Sequence, residues 1–192
     1  STLFDGVEAL QDGLQRFADA YALADRDTIA RKLGLAACRD DDVERMEALQ
    51  GLLQEGEVDM TLFFRALMDA DLSDVSLSAF DDAFYDPAKR EGVAPALHDW
   101  LAAYARRCSE DALDAAVRHE RMRMANPRYV LRNYLAQQAI DAAEAGDLSG
   151  VHELLDVMRR PYDDQPGRER FSQRRPDWAR QRAGCSMLSC SS

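Results

Sequence analysis

Helix-forming residues dominate this chain and constrain its fold more than any other feature. Its 192 residues include 30 alanines and 22 leucines, against only 14 valines, isoleucines and threonines together. Alanine and leucine favour helix, whereas β-branched side chains favour strand. Glycine and proline, with 10 and 6 residues, interrupt the chain rarely. The composition therefore predicts an all-α fold, and an apolar content of 46% is enough for a substantial core.

The spacing of apolar residues locates the helices. Steps of three and four predict that one side of the first helix is apolar. The residues of this stripe are Phe4, Val7, Leu10, Leu14, Phe17 and Tyr21. Farther along, Asp59 or Thr61 is expected to cap a helix, and Asp86-Pro87 either ends one helix or begins the next.

Asn126-Pro127 has the pattern of a helix start, because asparagine is a favoured N-cap and proline is tolerated as the first helical residue. We therefore expect a helix from this point to Ala145, ended by Gly146 in a left-handed conformation. A short helix through Met158 should follow and stop before Pro161.

Prolines, arginines and turn residues dominate from Pro161 onward, with Phe171 and Trp178 as isolated apolar residues. This composition is typical of an extended arm that adds no core element. The sequence thus predicts an irregular multi-helix domain over residues 1–160, followed by an extended, arginine-rich C-terminal arm over residues 161–192.

The charge distribution excludes some classes of partner. A net charge of −11 argues against broad nucleic-acid binding, because phosphate backbones are held by an excess of lysine and arginine. Residues 40–82 are strongly acidic, with Arg45 and Arg65 as the opposing cations, whereas residues 159–182 hold eight arginines against four acids. The two stretches either dock on each other or form separate solvated faces.

Hydropathy and cysteine content point to a cytoplasmic protein. The longest uninterrupted apolar run, residues 100–105, is far shorter than the roughly 20 residues that cross a bilayer, so we expect no membrane partner. Four cysteines in a chain without a charged-then-apolar leader do not form a secreted disulfide scaffold. These features predict the reducing cytoplasm of a bacterial-type cell.

No nucleotide or metal site is recognisable in the sequence. A kinase-type site needs a phosphate-pairing lysine, metal-holding acids and glycine amides over the nucleotide. The chain has no G-x-G pattern, and its only lysines are Lys32 and Lys89. The stretch from His152 to Asp156 lacks the second histidine of a zinc-protease helix. We therefore assign no catalytic, cofactor-binding or metal-binding residue to this segment.

Polar residues after Asn126 form a candidate contact surface. They are Arg128, Arg132, Asn133 and Gln137. These side chains either hydrogen-bond to another domain, or the arginines are solvated while the neighbouring tyrosines fill the core. The residue pattern alone leaves both interpretations open.

The four cysteines fall into two groups. Cys38 and Cys108 lie in or near predicted helices, where a cysteine is more often a small buried hydrophobe than a reactive thiol. Cys185 and Cys190 stand among small hydroxyl residues near the end of the sequence, where we expect exposed thiols suited to redox chemistry. An idle exposed thiol is the alternative for Cys190.

Several blocks of the second half together resemble one known family. In order, they are Asn126 to Gln137, Ala143 to Ser149, Arg160 to Asp164, Arg175 to Ala179 and the final Cys-Ser-Ser. This order and spacing are similar to the C-terminal region of the selenoprotein O family, protein adenylyltransferases with a pseudokinase fold. Looser similarity is found at Arg31 to Leu35, at Thr61 to Arg65 and from Trp100 to Arg107.

The resemblance implies a parent enzyme that uses ATP and Mg²⁺ to transfer AMP to Ser, Thr or Tyr hydroxyls of other proteins. Its nucleotide-binding part would lie upstream of Ser1, and the segment seen here would brace that catalytic domain. The density of the resemblance after Asn126 favours the interdomain interpretation of Arg128 and its neighbours. Cys190 matches a position where some family members carry selenocysteine, which favours a redox role.

Two other classes of function remain open on the sequence alone. The chain could be a free-standing helical interaction module without catalytic activity, with the acidic residues 40–82 as its binding face. It could instead be a small redox-active protein that uses only Cys185 and Cys190. The protein substrates and the oligomeric state are not encoded in any recognisable motif.

Overall fold

The computed structural model describes residues 7–74, 76–182 and Cys185. Over these residues the chain forms seven α-helices, namely α1 (Val7–Lys32), α2 (Asp40–Glu55), α3 (Met60–Asp69), α4 (Pro87–Glu110), α5 (Ala115–Ala125), α6 (Asn133–Glu144) and α7 (Ser149–Met158). Three short 3-10 helices cover Leu77–Ala83, Glu169–Ser172 and Asp177–Arg180. Extended pairing in this described part is confined to one isolated bridge between Val58 and Phe84. The predicted all-α fold is therefore confirmed.

Helix α1 continues without a break from Val7 to Lys32, well past Tyr21, where the predicted apolar stripe ends. Only its last turns enter the core, where Ile29 and Ala30 are buried. Gly34 ends the segment with a φ of +66°, a conformation that L-residues other than glycine rarely adopt. A Cβ atom on Gly34 would lie 2.6 Å from Cγ of Arg118, so this turn also needs glycine for space.

The first hydrophobic cluster is built by α2, α3, α4 and the 3-10 helix Leu77–Ala83 around the end of α1. Phe63 stacks on Phe80 with ring centroids 4.8 Å apart, and Trp100 stacks on Tyr104 at 5.2 Å. The Tyr104 hydroxyl donates a hydrogen bond of 2.7 Å to the Leu33 carbonyl. Burial raises the pKa of Tyr104, so this phenol stays neutral and acts as a structural donor.

Aspartate caps begin three of the helices in this cluster. Asp59 accepts from the Leu62 amide at 3.2 Å, and Asp86 accepts from the Ala88 amide at 2.8 Å. Asp114 caps α5 in the same way. The expected cap at Asp59 is confirmed, and of the two interpretations of Asp86-Pro87 the structure supports a helix start.

The predicted helix start at Asn126 is wrong. Asn126 follows the last residue of α5 and has extended backbone angles, as residues before proline usually do. Its side-chain amide donates to the carbonyls of Lys32 and Met122, both at 3.0 Å, and its Oδ1 accepts from the Lys32 ammonium at 3.2 Å. Asn126 thus ties the end of α5 to the end of α1, and α6 begins later, at Asn133.

A second hydrophobic cluster forms where α6 and α7 pack together and the arm folds over them. Gly146 separates the two helices with a φ of +90°, as expected. The arm has no regular α-helix in its described residues, yet it contributes Phe171, Ala179 and Cys185 to this core. The expectation that the arm adds no core element is therefore wrong. The division at residue 160 stays a prediction, although the clusters themselves divide near Asn126.

One buried ionic group connects α2, α4 and the turn before α2. Arg107 is 2% exposed, and its Nε and Nη2 donate to the Asp42 carboxylate at 3.0 Å each. Asp111 also accepts from Arg107, and Oδ2 of Asp111 accepts from the Ala36 amide at 2.7 Å. The acidic stretch therefore contains a carboxylate, Asp42, that is wholly internal.

We expect Arg107→Ala to lower the free energy of unfolding by about 3 kcal/mol, because it removes the most deeply buried cation of the Asp42 carboxylate and leaves it only the more exposed Arg45. Arg106→Ala is the matched control, since Arg106 is the exposed neighbour on the same helix and should change stability by no more than about 0.5 kcal/mol. Urea denaturation followed by circular dichroism measures both. Equal effects would contradict the structural role of Arg107.

Candidate functional site

A buried polar region lies where the arm and the segment before α6 meet the first cluster, and we call it the arm junction. It comprises Asp59, Tyr85, Arg132, Arg174 and Arg175. The Arg132 Nη2 donates to Asp59 Oδ1 at 3.0 Å, and the Tyr85 hydroxyl donates to Asp59 Oδ2 at 2.8 Å. Asp59 is 1% exposed and Arg132 is 4% exposed. An internal charge pair thus links the start of α3 to the start of α6.

The arm adds its own contacts to the arm junction. The Arg174 Nη1 donates to the Phe84 carbonyl at 2.6 Å, and the Arg175 amide donates to the Tyr85 hydroxyl at 3.2 Å. The Arg175 guanidinium also lies over the Tyr85 ring, 5.4 Å from its centroid. Tyr85 therefore receives a bond from the arm and passes one to Asp59, which makes it the centre of the arm junction.

Part of the basic arm does dock on the acidic stretch. Arg180 donates to Glu57 at 2.9 Å, next to the ion pair between Glu57 and Lys89. Two other arm arginines, Arg168 and Arg170, instead pair with Glu153 on α7. The docking interpretation is therefore correct for Arg180, while Arg168 and Arg170 pair with an acid outside the acidic stretch.

The pKa shifts in the arm junction indicate a structural role for its charged groups. Burial opposes the charge of Arg132, but the hydrogen bonds that Arg132 donates to Asp59 outweigh it, and the pKa of Arg132 is raised. Burial, and then the Asp59 charge, raise the pKa of the Tyr85 phenol. At neutral pH the arginine is therefore charged and the phenol is neutral. Neither group is tuned for general acid or base catalysis, which needs a pKa near the working pH.

The structure places the predicted contact residues as follows. Arg128 donates to Asp164 of the arm at 2.8 Å, and Arg132 lies in the arm junction. Asn133 is the first residue of α6 and is half-buried, while Gln137 donates to Asp141 on the same helix at 2.9 Å. Both arginines thus use acids of this chain. A contact of these residues with another domain stays a prediction.

Cys185 is not where the sequence suggests. It is 2% exposed, it packs in the second cluster, and its amide donates to the Arg182 carbonyl at 3.1 Å. The expectation of an exposed thiol at Cys185 is wrong because the arm folds back onto α6 and α7. Cys190 lies outside the described residues. Burial raises the pKa of both Cys38 and Cys108, which pack against the first cluster, so these thiols resist ionisation.

Other polar groups do not assemble into a reactive centre. In the part of the chain that the structure describes, no three His, Cys, Asp or Glu side chains lie close enough to hold a metal ion. An open cavity of about 590 Å³ lies between α6, α7 and the arm, and its lining includes Tyr134, Glu153, Arg170 and Phe171. Glu153 there is already engaged by arginines. Among the helices described, none has the length and apolar character of a membrane span.

Sequence reasoning missed the arm junction, although it identified two of its parts. Asp59 was expected as a helix cap and Arg132 as a contact residue, but nothing in the local pattern pairs residues 73 positions apart. The sequence pattern places Arg132 inside a helix that begins at Asn126, so it gives no signal that Arg132 pairs with a distant acid. Tyr85 carries no such signal.

Comparison with known proteins identifies the class. The model of the family described as "Protein adenylyltransferase SelO" matches residues 2–159. The chain therefore belongs to the SelO family of protein adenylyltransferases.

Individual relatives agree. The chain is 59% identical over 192 residues to the protein nucleotidyltransferase YdiU of Xanthomonas campestris pv. campestris (strain B100), a match that covers 100% of this chain and 37% of the relative. It is 60% identical over 190 residues to YdiU of Xanthomonas euvesicatoria pv. vesicatoria (strain 85-10), with 99% and 37% coverage. The chain thus spans little more than a third of the length of these curated relatives.

We expect Arg132→Ala to lower the free energy of unfolding by about 3–5 kcal/mol, because Asp59 would stay buried without its cation. Arg128→Ala is the matched control on the same segment: its partner Asp164 is 74% exposed, so the loss should be at most about 1 kcal/mol. Urea titrations at about pH 7 compare the two variants. Losses of the same small size would mean that the arm junction does not hold the clusters together.

Proposed function

We propose that this chain is the helical part of a protein nucleotidyltransferase that transfers AMP from ATP, with Mg²⁺, to Ser, Thr or Tyr hydroxyls of other proteins. The observation that carries the proposal is a match over the whole chain, at 59% identity, to a protein nucleotidyltransferase of which it covers only 37%. The nucleotide site then belongs to the remaining part of the complete polypeptide. The sequence has no glycine-rich phosphate loop of its own.

The role proposed for this segment is to brace the upstream catalytic domain. A brace must be stiff, and the buried pairs Asp59–Arg132 and Asp42–Arg107 fix helices that are remote in sequence. The partners are therefore that domain and, through it, the protein substrates of the enzyme. We also propose a cytoplasmic location in a bacterial-type cell; the bacterial source of the relatives supports the cell type only.

The test is AMP transfer by the complete polypeptide and by the 192-residue chain, each with ATP labelled at the α-phosphate. We expect label on protein only with the complete polypeptide and only when Mg²⁺ is present, because the sequence of the chain has no glycine-rich phosphate loop and its described residues form no cluster of acids that could hold a metal. ATP labelled at the γ-phosphate is the control that separates AMP transfer from phosphoryl transfer.

Two results would contradict the proposal. Label from γ-labelled ATP, with none from α-labelled ATP, would indicate a kinase. Absence of label with both nucleotides would favour the alternative, a free-standing helical interaction module. The exposed carboxylates of the acidic stretch, such as Asp40 and Asp69, are the observation that supports that alternative.

We also propose that Cys190 makes the tail redox-responsive. Oxidation by a peroxide would join Cys190 to a second thiol as a disulfide, with loss of two protons and two electrons to the peroxide, which is reduced to water. If the second thiol is Cys185, the second cluster must first open around it, because Cys185 is 2% exposed. This requirement would couple the redox state of the tail to the packing of the arm.

We expect mild peroxide treatment of the complete polypeptide to place Cys190 in a disulfide that mass spectrometry detects, and to change the rate of AMP transfer. Cys190→Ser should abolish that change, whereas Cys108→Ser, at a half-buried thiol of the first cluster, should leave it intact. A free Cys190 after oxidation, together with unaltered redox dependence in Cys190→Ser, would show the alternative of an idle thiol to be correct.

A further inference from the structure

The first half of α1 exposes an apolar stripe that nothing in the described structure covers. Val7, Leu10, Leu14, Phe17 and Tyr21 are between 47% and 69% exposed. The rings of Phe17 and Tyr21 lie 6.2 Å apart and extend the stripe as one continuous surface. Single exposed apolar side chains are ordinary, but a contiguous patch of this kind marks an interaction surface.

The direction of the stripe shows that it does not belong to the core of this unit. At 100° of rotation per residue, the stripe is centred about 130° around the helix from Ile29 and Ala30, the residues of α1 that are buried. One continuous helix therefore turns its two halves to different sides. The second half packs on the first cluster, whereas the stripe of the first half points to another side of the helix.

The opposite side of the same half of α1 is polar, and the contacts of its side chains among the described residues are with other residues of α1. Asp12 pairs with Arg16 at 3.0 Å, and Gln15 donates to Asp19 at 2.9 Å, all along the helix surface. With Glu8 and Asp12 near the start of α1 and Asp19 two turns on, this half carries more acid than base. Because these acids lie on the side away from the stripe, the surface that matches the stripe is simply an apolar groove.

The most economical occupant is the rest of the complete polypeptide. The family model already matches from residue 2, so the stripe lies inside the part of the chain that is shared with full-length relatives. Those relatives continue well beyond it, since this chain covers 37% of them. The alternative is that a second copy of this chain covers the stripe. In that case the rest of the complete polypeptide would have no identified contact surface on this chain.

We propose that the apolar stripe of α1 is the surface on which the nucleotidyltransferase part of the complete polypeptide docks, in an apolar groove. This inference rests on the proposed function, because it takes the missing part to be the catalytic domain. Helix α1 would then contact both the first cluster and the catalytic domain. Its buried end is fixed by Asn126, and its free half carries the contact with the catalytic domain.

Hydrogen exchange of peptides covering residues 7–24 tests the docking. We expect amides there to exchange at least about tenfold more slowly in the complete polypeptide than in the 192-residue chain, because a docked helix opens less often. Leu14→Asp combined with Phe17→Asp should remove this protection. Ala9→Asp combined with Gln15→Asp, the same kind of replacement about 120° around the helix from the centre of the stripe, should preserve it.

Both double variants should leave the circular dichroism of the 192-residue chain unchanged, since all four positions are exposed. Equal exchange in the two proteins overturns the docking proposal. So does protection that depends on protein concentration and disappears when a dimer of the complete polypeptide is diluted, which would identify a second copy as the occupant. A reading frame without an additional segment overturns it as well.

The docking and the proposed function fail in distinguishable ways. If the complete polypeptide transfers AMP but residues 7–24 exchange as fast as in the isolated chain, the docking surface is wrong and the function stands. If residues 7–24 are protected but no AMP is transferred, the surface stands and the function is wrong.

Discussion

The buried carboxylate of Asp59 is the interaction on which the arrangement of this chain depends. It caps α3, accepts from Tyr85 and pairs with Arg132, so one residue connects the first cluster to the start of α6. A charge this deeply buried is tolerated only when every partner is present. By holding Arg132, Asp59 sets the position of α6. Because α6 packs with α7 and the arm in the second cluster, the position of α6 in turn sets where the arm lies.

The same logic recurs at two other positions. Arg107 joins α2 to α4 through Asp42, and Asn126 joins the end of α5 to Lys32 at the end of α1. In each case a buried polar side chain connects elements far apart in sequence, while the apolar clusters fill the space between them. The bracing role proposed above would need such joints, because satisfied buried polar contacts make the arrangement of the helices more rigid and specific.

The sequence predicted what is local and missed what is not. The all-α fold follows from helix propensity, and the caps at Asp59 and Asp86 follow from bonds that span two or three residues. Asn126 misled the local rule because its partners include Lys32, 94 positions away. The prediction of an exposed thiol at Cys185 is wrong for a similar reason, because its burial depends on contacts with α6 and α7 that are distant in sequence. The arm junction itself joins residues 73 positions apart, which no local pattern reveals.

The central claim is that the two clusters form one cooperative unit through the Asp59–Arg132 pair. Residue-resolved hydrogen exchange by NMR tests it most directly, using the amides of Leu101 in the first cluster and Val157 in the second. The account predicts equal opening free energies at both amides in the unaltered chain, and exchange at Val157 faster than at Leu101 by about tenfold or more in Arg132→Ala. A Val157 amide that already opens far more easily in the unaltered chain, with a ratio that Arg132→Ala leaves unchanged, would contradict it.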